Sequence, residues 1–474
     1  MMDITRKPKM GLLLIGANRF RPLGKGTADG TYEQRKEKEA EAIVASAKKI
    51  ADVVFTGIVY DKDMLAAAMD AFYNEKVDFV FCAYLSWAED FAWVRFLRDM
   101  YNIPLFFGCI MRESCEFSDT SDENEFVDFL SSGGIVGTLE ASGSLARFNR
   151  KMVATGIGKL DTLMNQVSAF GQAAKVRSIL RNSVFGLLAC YNEAMWSTYV
   201  DPYNFFATVG PELRFLSIAT LNDEINLLSE QEVQKTVEEL TTKYSVMPDV
   251  GRDKFFASVR ASMAVEKMLR KNDLDMIILN DIDRVLFEQV GLRPGFIPCS
   301  HKDAIVVPEG DIGAGLAVFV LKVLSGKHVS FIEPFYIDAK SGCFGAGHAG
   351  PNDYTDPSGS VKIARDVRFA KTSYKHAGAP FAWYKIPPGE KTMVHISENN
   401  GRYKLVCSLV DALECEHFLA SYSHGVLKPR SPIDIFFGKL MEIGVTQHYG
   451  LVEGNYVKEL EAFAKIMDFE YYHI

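Results

Sequence analysis

Short buried runs that alternate with amphipathic helical stretches, followed by a change of texture after Gly291, predict an α/β protein with a β-rich C-terminal part. The first run is residues 10–16, Met-Gly-Leu-Leu-Leu-Ile-Gly, and a charged amphipathic stretch follows over 32–50. The rhythm then repeats through a run at 53–56, a helix around 62–74, a run at 78–83, a helix around 88–101 and a run at 104–108. Continuous apolar runs of this length suit strands buried on both faces, which is the signature of a parallel sheet wrapped by crossover helices.

An acidic polar stretch at 118–125 reads as a loop leading into a short helix, and a long helical segment follows at about 159–181. The middle section resumes the alternation with strands at 184–189, 213–218 and 276–280 and helices at about 229–243 and 252–271. Past Gly291, Pro294, Pro298 and Pro308 punctuate the chain, and one apolar helix at about 313–323 interrupts a series of β-type runs and glycine-rich loops reaching Tyr422. Helices at about 433–443 and 453–467 close the chain. The expected architecture is two doubly wound, Rossmann-like open-sheet domains over 1–175 and 176–300, with a β-rich domain over 301–474.

Composition narrows the function. The chain has 474 residues, enough for two or three cores, and its 48% hydrophobic and 24% charged content is that of a soluble globular enzyme. A net charge of −9 opposes attraction to nucleic acid or to an anionic membrane surface, so neither is expected as a partner. The eight cysteines include no Cys-x-x-Cys pair and read as thiols of a reducing compartment. The early apolar run lacks a convincing cleavage site, and the longest apolar helix carries Lys322 and is too short to span a bilayer; a cytoplasmic protein is expected.

Four residues of the last third are candidate metal ligands: Glu309 in Val-Pro-Glu-Gly-Asp, Glu333 in Phe-Ile-Glu-Pro-Phe, His348 in Gly-Ala-Gly-His-Ala-Gly and His448 in Thr-Gln-His-Tyr-Gly. Two carboxylates and two imidazoles suit Mn²⁺, Co²⁺ or Mg²⁺ with open positions better than a closed, thiolate-rich structural zinc site. Each has a plain structural alternative. Glu309 could be a helix-start carboxylate and His448 a satisfied core histidine, whereas Glu333 interrupts an apolar strand and needs a partner or a metal. Residues 345–350 spell G-x-G-x-x-G, but Pro351-Asn352-Asp353 follows where a nucleotide fingerprint would open a helix, so no nucleotide cofactor is expected and His348 is expected on a loop. At the end of the first strand, Asn18-Arg19-Phe20-Arg21 together with Lys25 places three cations within seven residues, a possible anion-holding loop or simply a solvated one.

Taken in order, these elements resemble the L-arabinose isomerase and L-fucose isomerase superfamily, closer to the arabinose branch. The resemblance rests on the Ile-Gly-Ala-Asn-Arg-Phe loop, the segment Leu-Glu-Ala-Ser-Gly-Ser-Leu-Ala-Arg at 139–147, and the four ligand motifs in sequence. It implies aldose–ketose isomerisation through an enediol, with Glu309, Glu333, His348 and His448 as ligands of a metal, usually Mn²⁺, and the two glutamates as the acid/base pair. It further implies a homo-oligomer (a dimer of dimers, trimer or hexamer) in which Asn18, Arg19, Phe20 and Arg21 cover a neighbour's site, and it puts Ile282 where the arabinose enzymes carry a pocket aromatic.

Two arginines in the 18–21 loop depart from the arabinose pattern. The substrate expectation is therefore a neutral pentose or (deoxy)hexose, with an anionic sugar such as the sulfosugar sulfoquinovose or a sugar acid as the alternative. A non-catalytic sugar-binding protein is the rival from another class.

Overall fold

The computed structural model describes residues 3–119, 121–282, 305–349, 361–368, 370–373, 377–419 and 422–474. The expected boundary at 300, His301, His376, Cys299 and Gly350 lie outside the described residues. The chain divides into two compact units: Arg6–Ser178 with Lys458–Asp468, and Met1–Thr5 with Ile179–Val457 and Phe469–Ile474.

The smaller unit is built on β1 (Lys9–Ile15), α1 (Tyr32–Ile50), β2 (Asp52–Val54), α2 (Lys62–Asn74), β3 (Phe79–Tyr84), α3 (Phe91–Asp99), β4 (Leu105–Ile110), α4 (Glu123–Ser131), α5 (Gly134–Phe148), β5 (Val153–Gly158) and α6 (Leu160–Leu180). Its five strands pair in parallel in the order β2-β1-β3-β4-β5. This is a doubly wound order whose direction reverses between β1 and β3, the place where open α/β sheets gather ligand loops. Helices α1 and α2 start where the sequence supplies caps: Thr31 and Gln34 form a reciprocal capping box on α1, and Asp61 accepts from two backbone N–H groups of α2.

The larger unit begins with a second parallel sheet. It contains β6 (Val184–Leu188), α7 (Pro202–Asn204), β7 (Glu212–Leu216), α8 (Ile218–Leu227), α9 (Glu230–Lys243), β8 (Ser245–Val246), α10 (Arg252–Lys271), β9 (Met276–Leu279) and β10 (Ile305–Val307). The strand order is β10-β9-β6-β7, all parallel. β6, β9 and β10 are almost wholly buried, as their apolar runs require.

The apolar helix α11 (Ile312–Ser325) then leads into β11 (Val329–Asp338), β12 (Cys343–His348), β13 (Lys362–Arg365), β14 (Pro380–Trp383), β15 (Gly389–Asn399), β16 (Arg402–Leu413), β17 (Ser423–Pro429), α12 (Ile433–Ile443), β18 (Tyr449–Glu453), α13 (Val457–Met467) and β19 (Glu470–His473). Six of these strands run β15-β18-β11-β12-β17-β16, and β16 pairs back onto β15 to close a barrel. Closure leaves no open edge among the six. The β15–β16 hairpin turns at Asn400-Gly401, whose φ angles of 52° and 80° match the right-handed twist of its strands. α11 is buried all round and lies tight against the barrel: a Cβ on Gly313 would fall 2.3 Å from the Ile396 carbonyl oxygen, and one on Gly450 would meet Leu321 and the Val318 backbone. Among the described residues, no helix is long and apolar enough to cross a membrane.

Candidate metal centre

Three of the four expected ligands converge in the larger unit. Glu309, His348 and His448 each offer one ligand atom, and these atoms all lie within 4.8 Å of one another. Glu309 follows β10 at the carboxyl end of the parallel sheet, His348 ends β12 and His448 immediately precedes β18. The site therefore joins a sheet end, where α/β proteins present their loops, to two strands of the barrel.

Each imidazole is fixed differently. His348 sits on a strand, not the expected loop, and pairs with Ser423 of β17. The Ser423 hydroxyl accepts from the His348 backbone N–H at 3.2 Å and donates to its carbonyl at 2.9 Å. Gly347 serves this pairing, since a Cβ there would lie 1.7 Å from the Ser423 carbonyl oxygen, and Gly345 admits the other neighbour, β11, where a Cβ would enter the Tyr336 ring. Gly345 and Gly347 fall within the strand.

His448 is held by its ring. Its Nδ1 lies 2.9 Å from Asp311 Oδ2, while the other Asp311 oxygen accepts from Ala314 N and caps α11. Its carbonyl accepts from Nδ1 of the buried His395 at 2.9 Å; burial pushes His395 down to about 4, so that ring is a neutral donor at physiological pH. Phe331 packs at 4.8 Å from both ligand rings, which meet each other edge to face at 5.5 Å.

The donor set fits a cation. His348 Nδ1 and Nε2 and His448 Nε2 are buried without a hydrogen-bond partner among the described residues. Yet Glu309 Oε1 stands 3.5 Å from His348 Nε2, and Glu309 Oε2 stands 3.2 Å from His448 Nε2. These are ion-pair distances without hydrogen-bond alignment. Atoms bound about 2.1 Å from one ion are separated by about 3.0 Å at right angles and about 3.4 Å at the tetrahedral angle, so the two distances from Glu309 to the imidazoles are close to those of neighbouring ligands. Buried nitrogens without partners are rare, and a metal would satisfy one nitrogen of each ring, His448 Nε2 and the His348 nitrogen that faces Glu309.

Electrostatics point the same way. Burial alone would raise the Glu309 pKa, but the His348 and His448 rings overrule it and hold the carboxyl well below the usual carboxylate range. Burial alone would lower His448, but Asp311 and Glu309, one on each ring nitrogen, push it up to about 10. A metal must displace that proton to bind. Of the three side chains only Glu309, at 19% exposure, reaches solvent appreciably.

Glu333 stands outside this group. It lies on β11 opposite Gly347 of β12, and one further step of the β11–β18 register sets it opposite His448. Ile282 is half-buried beside Asp281, whose carboxylate accepts from the Glu309 backbone N–H at 2.8 Å. Asn18, Arg19, Phe20 and Arg21 belong to the smaller unit, just past β1. There Arg19 pairs with Glu89 at 3.0 Å and covers the Trp87 ring, Arg21 pairs with Glu33 and covers Tyr60, and Phe20 packs on Tyr32 and Trp87.

Sequence reading missed Asp311, Asp281, Asn192 and His395. Asp311 alone carried a usable signal, an acidic N-cap candidate immediately before an apolar helix.

Fold and site together define an α/β protein with a β-barrel and a buried two-histidine, one-carboxylate group able to hold a metal ion. No protein-family model matches the chain, and no curated protein matches it.

Proposed function

We propose that this protein is a divalent-metal-dependent aldose–ketose isomerase of the L-arabinose and L-fucose isomerase kind, acting through an enediol on a neutral pentose or (deoxy)hexose. The observation that carries the reading is the buried Glu309, His348 and His448 group with its unpartnered ring nitrogens. Bound there, Mn²⁺, Co²⁺ or Mg²⁺ would supply Lewis acidity toward the carbonyl of the open-chain sugar.

Glu309 and Glu333 are the proposed acid/base pair. One carboxylate takes the proton from C2 of the aldose, C1 receives a proton as the enediol collapses to the 2-ketose, and the hydroxyl proton passes from O2 to O1. No redox cofactor is needed, because one carbon is oxidised as its neighbour is reduced. Asp311 holds the His448 ring beside Glu309, and Ser423 fixes the backbone from which His348 projects. The partly exposed Glu309 carboxylate provides the approach from solvent.

A neutral sugar is preferred over an anionic one because Arg19 and Arg21 each already face a carboxylate of their own unit. The proposed homo-oligomer rests on the resemblance alone. The test is a panel of neutral and anionic aldoses incubated with chelator-treated protein, with and without Mn²⁺, Co²⁺ or Mg²⁺, scored for ketose. Metal-dependent ketose formation from a neutral aldose is the expected result. Binding without turnover across the panel would favour a sugar-binding protein, and turnover confined to sulfonated or carboxylated sugars would move the substrate to the anionic class.

A further inference from the structure

The backbone at Glu309 is in the left-handed region, with φ of 62°, and Gly310 follows at 69°. A long, branched-at-the-end side chain gains nothing from that conformation by itself, so the surrounding structure has to impose it. Three bonds do so. The Glu309 N–H donates to Asp281 Oδ1 at 2.8 Å, Asn192 Nδ2 donates to the Glu309 carbonyl at 2.8 Å, and the Gly310 N–H donates to the Leu279 carbonyl at 2.9 Å. Asn192 follows β6 and Asp281 follows β9, so three neighbouring strand ends meet on one peptide. Both side chains are 1% exposed. Gly310 itself is required by its own positive φ, and it lies against Asn192 and Asn280.

We propose that Asn192 and Asp281 are positioning residues that hold Glu309 in its left-handed conformation, so that its two carboxylate oxygens face the two histidines, and that this clamp sets the metal affinity of the centre. The bonds that join both side chains to Glu309 go to its backbone, the N–H for Asp281 and the carbonyl for Asn192. An extended Glu309 would carry its carboxylate away from His348 and His448, leaving two imidazoles alone. The proposal rests on the reading of Glu309, His348 and His448 as a metal site, and it holds whether or not the reaction is sugar isomerisation.

The experiment is calorimetric titration of full-length, chelator-treated protein with Co²⁺, without any sugar, together with the visible spectrum of the Co²⁺-loaded protein and the thermal midpoint of each variant. Asn192→Ala and Asp281→Ala are each expected to weaken Co²⁺ binding by about 10- to 100-fold and to alter the spectrum, as loss of an outer support does. Asp281→Asn keeps an acceptor oxygen and is expected to stay within about threefold of the parent, which separates the hydrogen bond from the charge and serves if the alanine variants fold poorly. In a Glu309→Ala background the clamp substitutions are expected to have no further effect on affinity, because the ligand they position is gone. Folded Asn192→Ala and Asp281→Ala proteins with parental affinity and spectrum would overturn the clamp, as would equal losses with and without Glu309. A parent protein that binds Co²⁺ in this pattern but forms no ketose would overturn the isomerase reading and leave the clamp standing.

Discussion

Two polar clusters stand out in this sequence, and they behave in opposite ways once folded. In the loop after β1, Arg19 and Arg21 each find a carboxylate and an aromatic face within their own unit. In the group at Glu309, two buried imidazoles present three nitrogens with no hydrogen-bond partner among the described residues. The first cluster is closed by its own neighbours; the second pairs one carboxylate with two imidazoles yet leaves ring nitrogens without a hydrogen bond, at a desolvation cost. Charge density in a sequence therefore says less about ligand binding than unsatisfied buried polarity does in the fold.

The contrast is broken most severely at the ligands themselves. His448→Ala is expected to weaken Mn²⁺ or Co²⁺ binding by more than about 100-fold, beyond what outer-shell changes cause, and Glu309→Gln to lower turnover by about 10²- to 10⁴-fold. Calorimetry and ketose assays check these, and a near-parental Glu309→Gln enzyme would remove Glu309 from the mechanism. Next comes Gly347→Ala, whose new methyl group would strike the Ser423 carbonyl and separate β12 from β17. The expected cost is about 3 kcal/mol of stability, read by denaturant unfolding.

A smaller effect is pH dependence. Because His448 is pushed up to about 10 in the metal-free protein, a proton competes with the metal, and affinity is expected to rise with pH by up to tenfold per unit until about 10. Asp311→Asn removes one of the two carboxylates that raise it and is expected to end that rise at a lower pH. The same linkage sets stability without metal: the contribution of the His448 and Glu309 contacts is full between the ordinary carboxylate and histidine values, is lost as pH climbs through about 10, and also falls on acidification below the ordinary carboxylate range. Smallest of all, Arg19→Ala or Arg21→Ala is expected to change stability by no more than about 1 kcal/mol and to leave metal affinity unchanged, as exposed or half-exposed pairs do.

Much of the fold was legible because buried parallel strands must be apolar throughout: β1, β3, β4, β6 and β9 all announce themselves as uninterrupted runs. β5 did not, because as the edge strand of its sheet it is half exposed and carries Thr155 and two glycines. β12 was hidden by the glycines that let it approach β17, which in sequence look like a loop. At the site, the identities of Glu309, His348 and His448 were visible from their motifs, but their convergence was not, since it depends on barrel register and on a left-handed residue that no local pattern specifies. Asp281 and Asn192 lie 28 and 117 residues from Glu309 in sequence, and nothing short of the fold brings them together.

The most direct test is to titrate chelator-treated, full-length protein with Mn²⁺ and with Co²⁺ and to measure stoichiometry and proton release together. One ion per chain, proton release at neutral pH and loss of both in His448→Ala are the results expected of a metal centre at Glu309, His348 and His448. Absence of binding at millimolar metal, or binding that His448→Ala and Glu309→Gln leave intact, would contradict it.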